Sequence, residues 1–387
     1  MIHSNVYILI PVTGTFNSTI HFDAYDKATK FSNKIQEQML MACEKEIANT
    51  INRVPIGKIR VKIYNDDTYN DNKANIVDAG LSYTYQNNTD LGILSIQIED
   101  LPYEDSPVGD SVFSNKLKIT VDKEYENLNE FLAILNLSLC GKIRMVYIND
   151  IKNKSDENLN YLLFGESQNR GSENFGIKKD CDIIEKKNMC IYDAFEFYAS
   201  EKAIVIFSND FNCDVTNKDG FTELLYFFVI EINMLQYSAV YRINRDISNK
   251  LIDNSKGHIS SKKSLTMIEN FGKTIKLWDN SIYFYYFDQV LSNYLIEKFK
   301  TNELKEQYKS VSEHIQRVSD LRRNINTSIE NTILNITAFV LGITQIVQIA
   351  PQMEEMLKGK IVGRTMLSLA ILVFIIFVIH KNREEEL

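Results

Sequence analysis

The chain has 387 residues, room for one large folded body and further segments, and a formal charge of −8 at pH 7. That negative balance excludes a binder of nucleic-acid backbone, which needs a basic footprint, so no nucleic-acid partner is expected. The five cysteines, Cys43, Cys140, Cys181, Cys190 and Cys213, are odd in number and widely spaced. They fit reduced thiols in a reducing compartment and lack zinc-ligand spacing.

From the N-terminus, Val6–Val12 reads as a strand too short for a signal segment, so the bulk of the chain is expected in the cytoplasm. An amphipathic helix is predicted from about Asp26 to Ile51. Strands follow at Lys58–Tyr64, Leu91–Glu99 and Leu117–Val121, then a helix at Leu128–Leu139 and further strands at Ile143–Ile148 and Ala203–Phe207. Asp66–Asn75 and Glu166–Gly176 read as loops; the first lacks the central Gly and closing Glu of a calcium loop. Mixed strands and helices of this kind predict an α/β cytoplasmic domain over residues 1–210.

Long helices are predicted next, at Thr222–Asp253 and Ser261–Trp278, forming a helical hairpin over 211–281. A third begins at Ile282, and no proline interrupts it before Ala350, so it reads as a stalk of roughly 100 Å at about 1.5 Å per residue. Leu304, Tyr308, Val311, Ile315, Val318, Ile325, Ile329 and Ile336 form a heptad stripe, broken at Arg322 and Thr332. A lone helix of that length needs neighbours, which predicts a homo-oligomer, a pentamer or a tetramer.

Two apolar stretches close the chain, Ile333–Ala350 and Ile361–Ile379, around Pro351. About 20 such residues span a bilayer core. The expected layout is therefore a stalk over 282–332, a first span over 333–350, an extracytoplasmic loop over 351–360, a second span over 361–380 and a cytoplasmic tail over 381–387. On a helical wheel Asn324, Thr327, Asn331, Asn335, Ala338, Gly342 and Gln345 lie within about 40° of one line, roughly 160° from the heptad stripe. Such a line either lines a pore or hydrogen-bonds helices together.

An α/β domain, long helices, a stalk and an apolar hairpin resemble the CorA family of divalent-cation channels. Asn331 with Asn335-Ile336-Thr337 looks like that family's approach to its pore helix, and Met353-Glu354-Glu355-Met356 like its acidic outer loop. The family's Gly-Met-Asn motif is replaced here by Gln348-Ile349-Ala350-Pro351-Gln352. The chain is more similar to the branch that accompanies type III CRISPR systems. That resemblance implies a multi-pass inner-membrane effector in antiviral defence, a pore or membrane-disrupting channel gated by a nucleotide second messenger, a conjugate of S-adenosylmethionine with AMP. The alternatives are a housekeeping magnesium or other divalent-cation transporter and a membrane-anchored binding protein without a pore.

On this reading Arg322 is the candidate gate, the lipid bilayer is a partner, and a magnesium ion and the messenger are the possible ligands, with no tightly bound cofactor. Tyr241, Arg242 and Arg245 have chemistry suited to an anionic adenine ligand, but an exposed helix face is the commoner explanation of such a set, and no ligand site is assigned to them. No Walker loop, dinucleotide glycine motif, Gly-x-Ser-x-Gly or His-Glu-x-x-His occurs, so enzyme activity is not expected.

Overall fold

Val6-Tyr7-Ile8-Leu9-Ile10 is apolar at every position because the strand it belongs to, β1 (His3–Gly14), is covered on both faces. Successive side chains alternate between faces: Tyr7 and Leu9 join one core, and Val6, Ile8, Ile10 and Val12 the other. The computed structural model describes residues 3–64, 74–87, 89–102, 117–121, 124–155, 158–159, 162–163, 195–209, 226–253 and 282–310, with 313, 331, 333–334, 337–338 and 341–342. The chain divides into two units, Met1–Ser310 and Val311–Leu387.

In the first unit β1 lies within a ten-stranded sheet. The other strands are β2 (Ile51–Tyr64), β3 (Ala74–Gln86), β4 (Leu91–Pro102), β5 (Lys118–Val121), β6 (Glu124–Asn127), β7 (Leu137–Leu139), β8 (Arg144–Asp150), β9 (Phe195–Ala199) and β10 (Ala203–Ser208). Their order is β6-β5-β2-β3-β4-β1-β8-β10-β9, with β7 pairing on β1. Neighbours are antiparallel except β8 and β10, which run parallel.

Helices cover both faces. Helix α1 (Asp26–Ala42) buries Phe31, Ile35, Met39 and Ala42 at helical spacing. With α2 (Lys45–Ala48), α4 (Phe227–Asp253) and α5 (Tyr286–Lys298) it closes one core; α3 (Leu128–Ile134), through Leu128, Phe131 and Leu132, packs in the other.

Several boundaries differ from expectation for local reasons. The first helix stops at Ala42, because Cys43 turns extended and bridges to Tyr283, and Ile51 already opens β2. Helix α3 starts on an Asn127–Glu130 capping box. It ends short of Leu139 because Asn136 adopts a left-handed φ of 58° before β7. The third long helix begins at Tyr286 and breaks at Phe299 and Lys300, where Lys300 has φ 57°. Phe299 is held there by Arg144, whose buried guanidinium lies 3.8 Å from its ring and 4.2 Å from that of Tyr237. Residues 301–310 resume as helix.

Two larger expectations are corrected. The architecture of the first unit is this mixed sheet with helices on both faces, not an α/β domain feeding a CorA-like stalk and hairpin. Among the described residues, moreover, no helix is long and apolar enough to cross a membrane. The multi-pass inner-membrane placement and the membrane-channel and ion-transport reading are withdrawn with it. The physical reason is that an apolar run records a tendency to leave water, and that tendency alone does not distinguish lipid from a protein interior. Ile361–Ile379, and most of Ile333–Ala350, lie outside the described residues. In the second unit Ile333, Leu334 and Leu341 are exposed helical positions.

One ion pair ties the sheet to its helical cover. Arg53 on β2 pairs with Glu231 on α4, both side chains almost fully buried. The guanidinium also donates to Thr84 at 3.1 Å, Ser82 at 2.8 Å and Ser32 at 3.3 Å, and lies 5.0 Å from the Phe31 ring and 5.7 Å from that of Phe227. Breaking a buried pair from one side strands a charge, whereas replacing both partners does not. Arg53→Met is expected to lower unfolding free energy by about 3–5 kcal/mol in urea titrations, and Arg53→Met with Glu231→Leu to recover most of that loss.

A second buried carboxyl has no ion-pair partner among the described residues. Asp288, in the first turn of α5, lies near Cys43 and Tyr283, and burial pushes its carboxyl from 3.8 up to about 7. A carboxyl raised in the fold leaves stability intact below the unfolded value of 3.8, and that stability is lost as pH rises to about 7. Asp288→Asn is expected to flatten this slope, making the variant more stable than the parent at pH 8 by on the order of 2–4 kcal/mol and nearly equal to it at pH 4.

Candidate functional site

A cleft of about 570 Å³ opens where the end of β1 meets β2, β3 and the β3–β4 turn. That size lies within the ligand-pocket range of roughly 300–1,000 Å³. Three local features of the sequence shape it.

The first is a bulge. Pairing of β2 with β3 shifts between Pro55 and Gly57, so the cleft-lining Val54, Pro55 and Ile56 sit where the strand bends. Gly57 has φ 150°, and a Cβ there would meet the Asp23 carbonyl oxygen and the Phe22 Cβ, each at 2.6 Å. The second is the loop after β1. Gly14, with φ 134°, ends the strand, and its N–H donates to the Asp90 carbonyl at 2.9 Å. Asn17 N donates to Leu135 O at 3.0 Å and Asn136 Nδ2 to Thr15 O at 3.0 Å, which holds Phe16 over the cleft.

The third is an aromatic stack. Phe16 and Tyr83 have ring centroids 5.4 Å apart at 25°, and Tyr83 and Tyr85 are 5.4 Å apart at 20°. All three line the cleft. Gly92 on β4 is what lets the Tyr83 ring lie flat across the sheet, since a Cβ there would come within 2.4–2.6 Å of it. Burial, then the nearby Asp90 and Tyr85, push the Tyr83 phenol up to about 12, so it stays a neutral donor.

The polar end of the cleft is Asp90. One carboxylate oxygen accepts from Arg242 on α4 and the other from the Thr13 hydroxyl at 3.0 Å. Burial pushes this carboxyl up, but hydrogen bonding to Arg242 and its charge, with Thr13, outweigh burial and hold it below the ordinary carboxylate range. Gln86, Asn87 and Thr89 complete the rim.

Of the predicted pore-lining residues, Asn331, Ala338 and Gly342 are helical, with Asn331 and Ala338 exposed and open space around Gly342. Asn324, Thr327, Asn335 and Gln345, and the candidate gate Arg322, lie outside the described residues. The Tyr241, Arg242 and Arg245 helix face does not line the cleft. Tyr241 stacks on Tyr237, Arg242 pairs with Asp90 and Asp246, and Arg245 donates to the Leu139 carbonyl at 3.1 Å. Among the described residues no group of three or more His, Cys, Asp or Glu side chains is arranged to hold a metal ion. Cys43 and Cys140 are free and buried; burial pushes their thiols up to about 12 and about 11.

Sequence reasoning passed over the cleft entirely. Its signal was the alternation of Val77, Ala79, Leu81, Tyr83 and Tyr85 with Asp78, Gly80, Ser82, Thr84 and Gln86, which marks a strand carrying aromatic residues on one face.

Gly92→Ala is expected to displace the Tyr83 ring and cost about 1–3 kcal/mol. In 3-fluorotyrosine-labelled protein the Tyr83 resonance should move while the far-UV circular dichroism is kept.

No family model, no curated protein and no solved structure matches this chain, so its cleft carries no relative's function.

Proposed function

We propose that the chain is a non-enzymatic sensor that takes the nucleoside part of a nucleotide second messenger into the cleft between β1, β2 and β3. The observation that supports this is the Phe16–Tyr83–Tyr85 stack laid across Gly92. A run of near-parallel rings beside open space offers a planar base the stacking that bases find on aromatic platforms, worth about 1–3 kcal/mol per base. Ser18, Asn87 and Thr89 at the rim supply side-chain donors and acceptors for its polar edge.

The proposal keeps the messenger of the type III CRISPR antiviral reading and drops the pore. A binding role also suits the chemistry of the cleft better than catalysis does. Among the described lining residues the one carboxylate is already paired with Arg242 and Thr13, the Tyr83 phenol is held neutral, and there is no histidine, lysine or cysteine. A general base needs a free acceptor poised near neutral pH.

The test is calorimetric titration of the full chain with adenosine, guanosine, cytidine and uridine. At least one nucleoside is expected to bind at one site per chain, with affinity falling about 5- to 100-fold in Tyr85→Ala. Absence of binding by all four, or binding indifferent to Tyr85→Ala, would overturn the proposal.

A further inference from the structure

We propose that the cleft selects a ligand carrying a positive charge beside its planar ring, and that this charge takes Asp90 away from Arg242. The inference rests on the cleft being the binding site, and it adds the charge of the ligand and the consequence for helix α4.

The lining fixes the sign. Among the described lining residues Asp90 is the one carboxylate, and none is a lysine, arginine or histidine that could meet a phosphate. The aromatic wall acts in the same direction, because the faces of its half-buried rings, Phe16 and Tyr85, carry negative quadrupole potential and attract cations. An anionic group would meet ring faces and the Asp90 carboxylate, whose paired guanidinium, Arg242, lies outside the lining. If the messenger carries phosphates, they remain outside.

Asp90 is also able to change partners. Its side chain is 46% exposed, so a ligand in the cleft can reach it without opening the core. Thr13 holds one of its oxygens from β1, and Arg242 holds the other from α4. Arg242 has a second carboxylate within reach, Asp246, at 3.7 Å one helical turn along α4. Losing Asp90 therefore leaves the guanidinium paired on its own helix rather than stranded. A ligand that binds better to the arrangement with Asp90 released shifts the population toward it. With the cleft empty, Asp90 ties the β3–β4 turn to α4. With a cation in the cleft, that tie is released, and this end of α4 is held by its core contacts and by the Arg245–Leu139 and Asn244–Leu304 hydrogen bonds.

The experiment compares three ligands of one base on the full chain by calorimetry: adenosine, 5′-amino-5′-deoxyadenosine, which is cationic at neutral pH, and adenosine 5′-monophosphate. The amine is expected to bind about tenfold more tightly than adenosine, and the monophosphate more weakly than either. Asp90→Asn should bring the amine and adenosine within about twofold of each other. Arg242→Gln, which removes the competitor and keeps Asp90, should tighten the amine further. A variant that merely loosened the fold would weaken it. Equal binding of all three ligands, tightest binding of the monophosphate, or loss of amine affinity in Arg242→Gln would overturn the charge selection while leaving the cleft as the binding site. No binding by any of the three would overturn the site and the selection together.

Discussion

The buried pair between Arg53 and Glu231 is the constraint from which the rest of the described body follows. Its members are 178 positions apart in the chain, and the guanidinium reaches β2, β3, α1 and α4 at once through its own backbone and through Thr84, Ser82, Ser32 and Glu231. A buried charge is tolerable only when its donors and acceptors are satisfied together. The sheet, the first helix and α4 must therefore close in one arrangement, because any other leaves a guanidinium or a carboxylate desolvated. The apolar contacts of Phe31 and Phe227 over the same group exclude the water that would weaken it.

The cleft is built on the far face of the same strands. Arg53 points one way from β2. Two residues on, Pro55 begins the bulge that bends the strand, and Gly57 lets it pass against Phe22 and Asp23. On β3, Ser82 and Thr84 serve the ion pair while Tyr83 and Tyr85, between and beyond them, present their rings to the opposite side. One strand thus carries the anchor on one face and the aromatic wall on the other. The anchor holds the wall still, and a stacking surface held still loses little entropy on binding. The α4 helix meets the system twice, through Glu231 in its buried first half and through Arg242 at the more exposed Asp90.

Parts of this were legible in the sequence, and the reasons are specific. Strands β1, β8 and β10 are apolar on both faces, so their β-branched runs announce themselves. The alternation on β3 was equally present, but the polar run before it and Gly80 within it obscured where the strand began. The helix that was read from Asp26 to Ile51 ends early because Cys43 bridges to Tyr283, a contact no local pattern encodes. The continuous stalk failed at Lys300 for a similar reason: a left-handed residue follows a phenylalanine clamped by Arg144. The cleft was beyond reach because Phe16 and Tyr83 meet only after the sheet has formed. Apolar runs near the C-terminus reported hydrophobicity, which alone does not distinguish lipid from a protein interior.

The central claim is that ligand recognition belongs to the cleft between β1, β2 and β3. Hydrogen exchange of the full chain, measured with and without a saturating nucleoside, tests it most directly. The account predicts slowed exchange confined to residues 14–20, 54–57 and 83–92, with little change along the rest of the sheet. Protection centred instead on 241–245 or on the helical positions from 331 to 342, with none at the cleft, would contradict it.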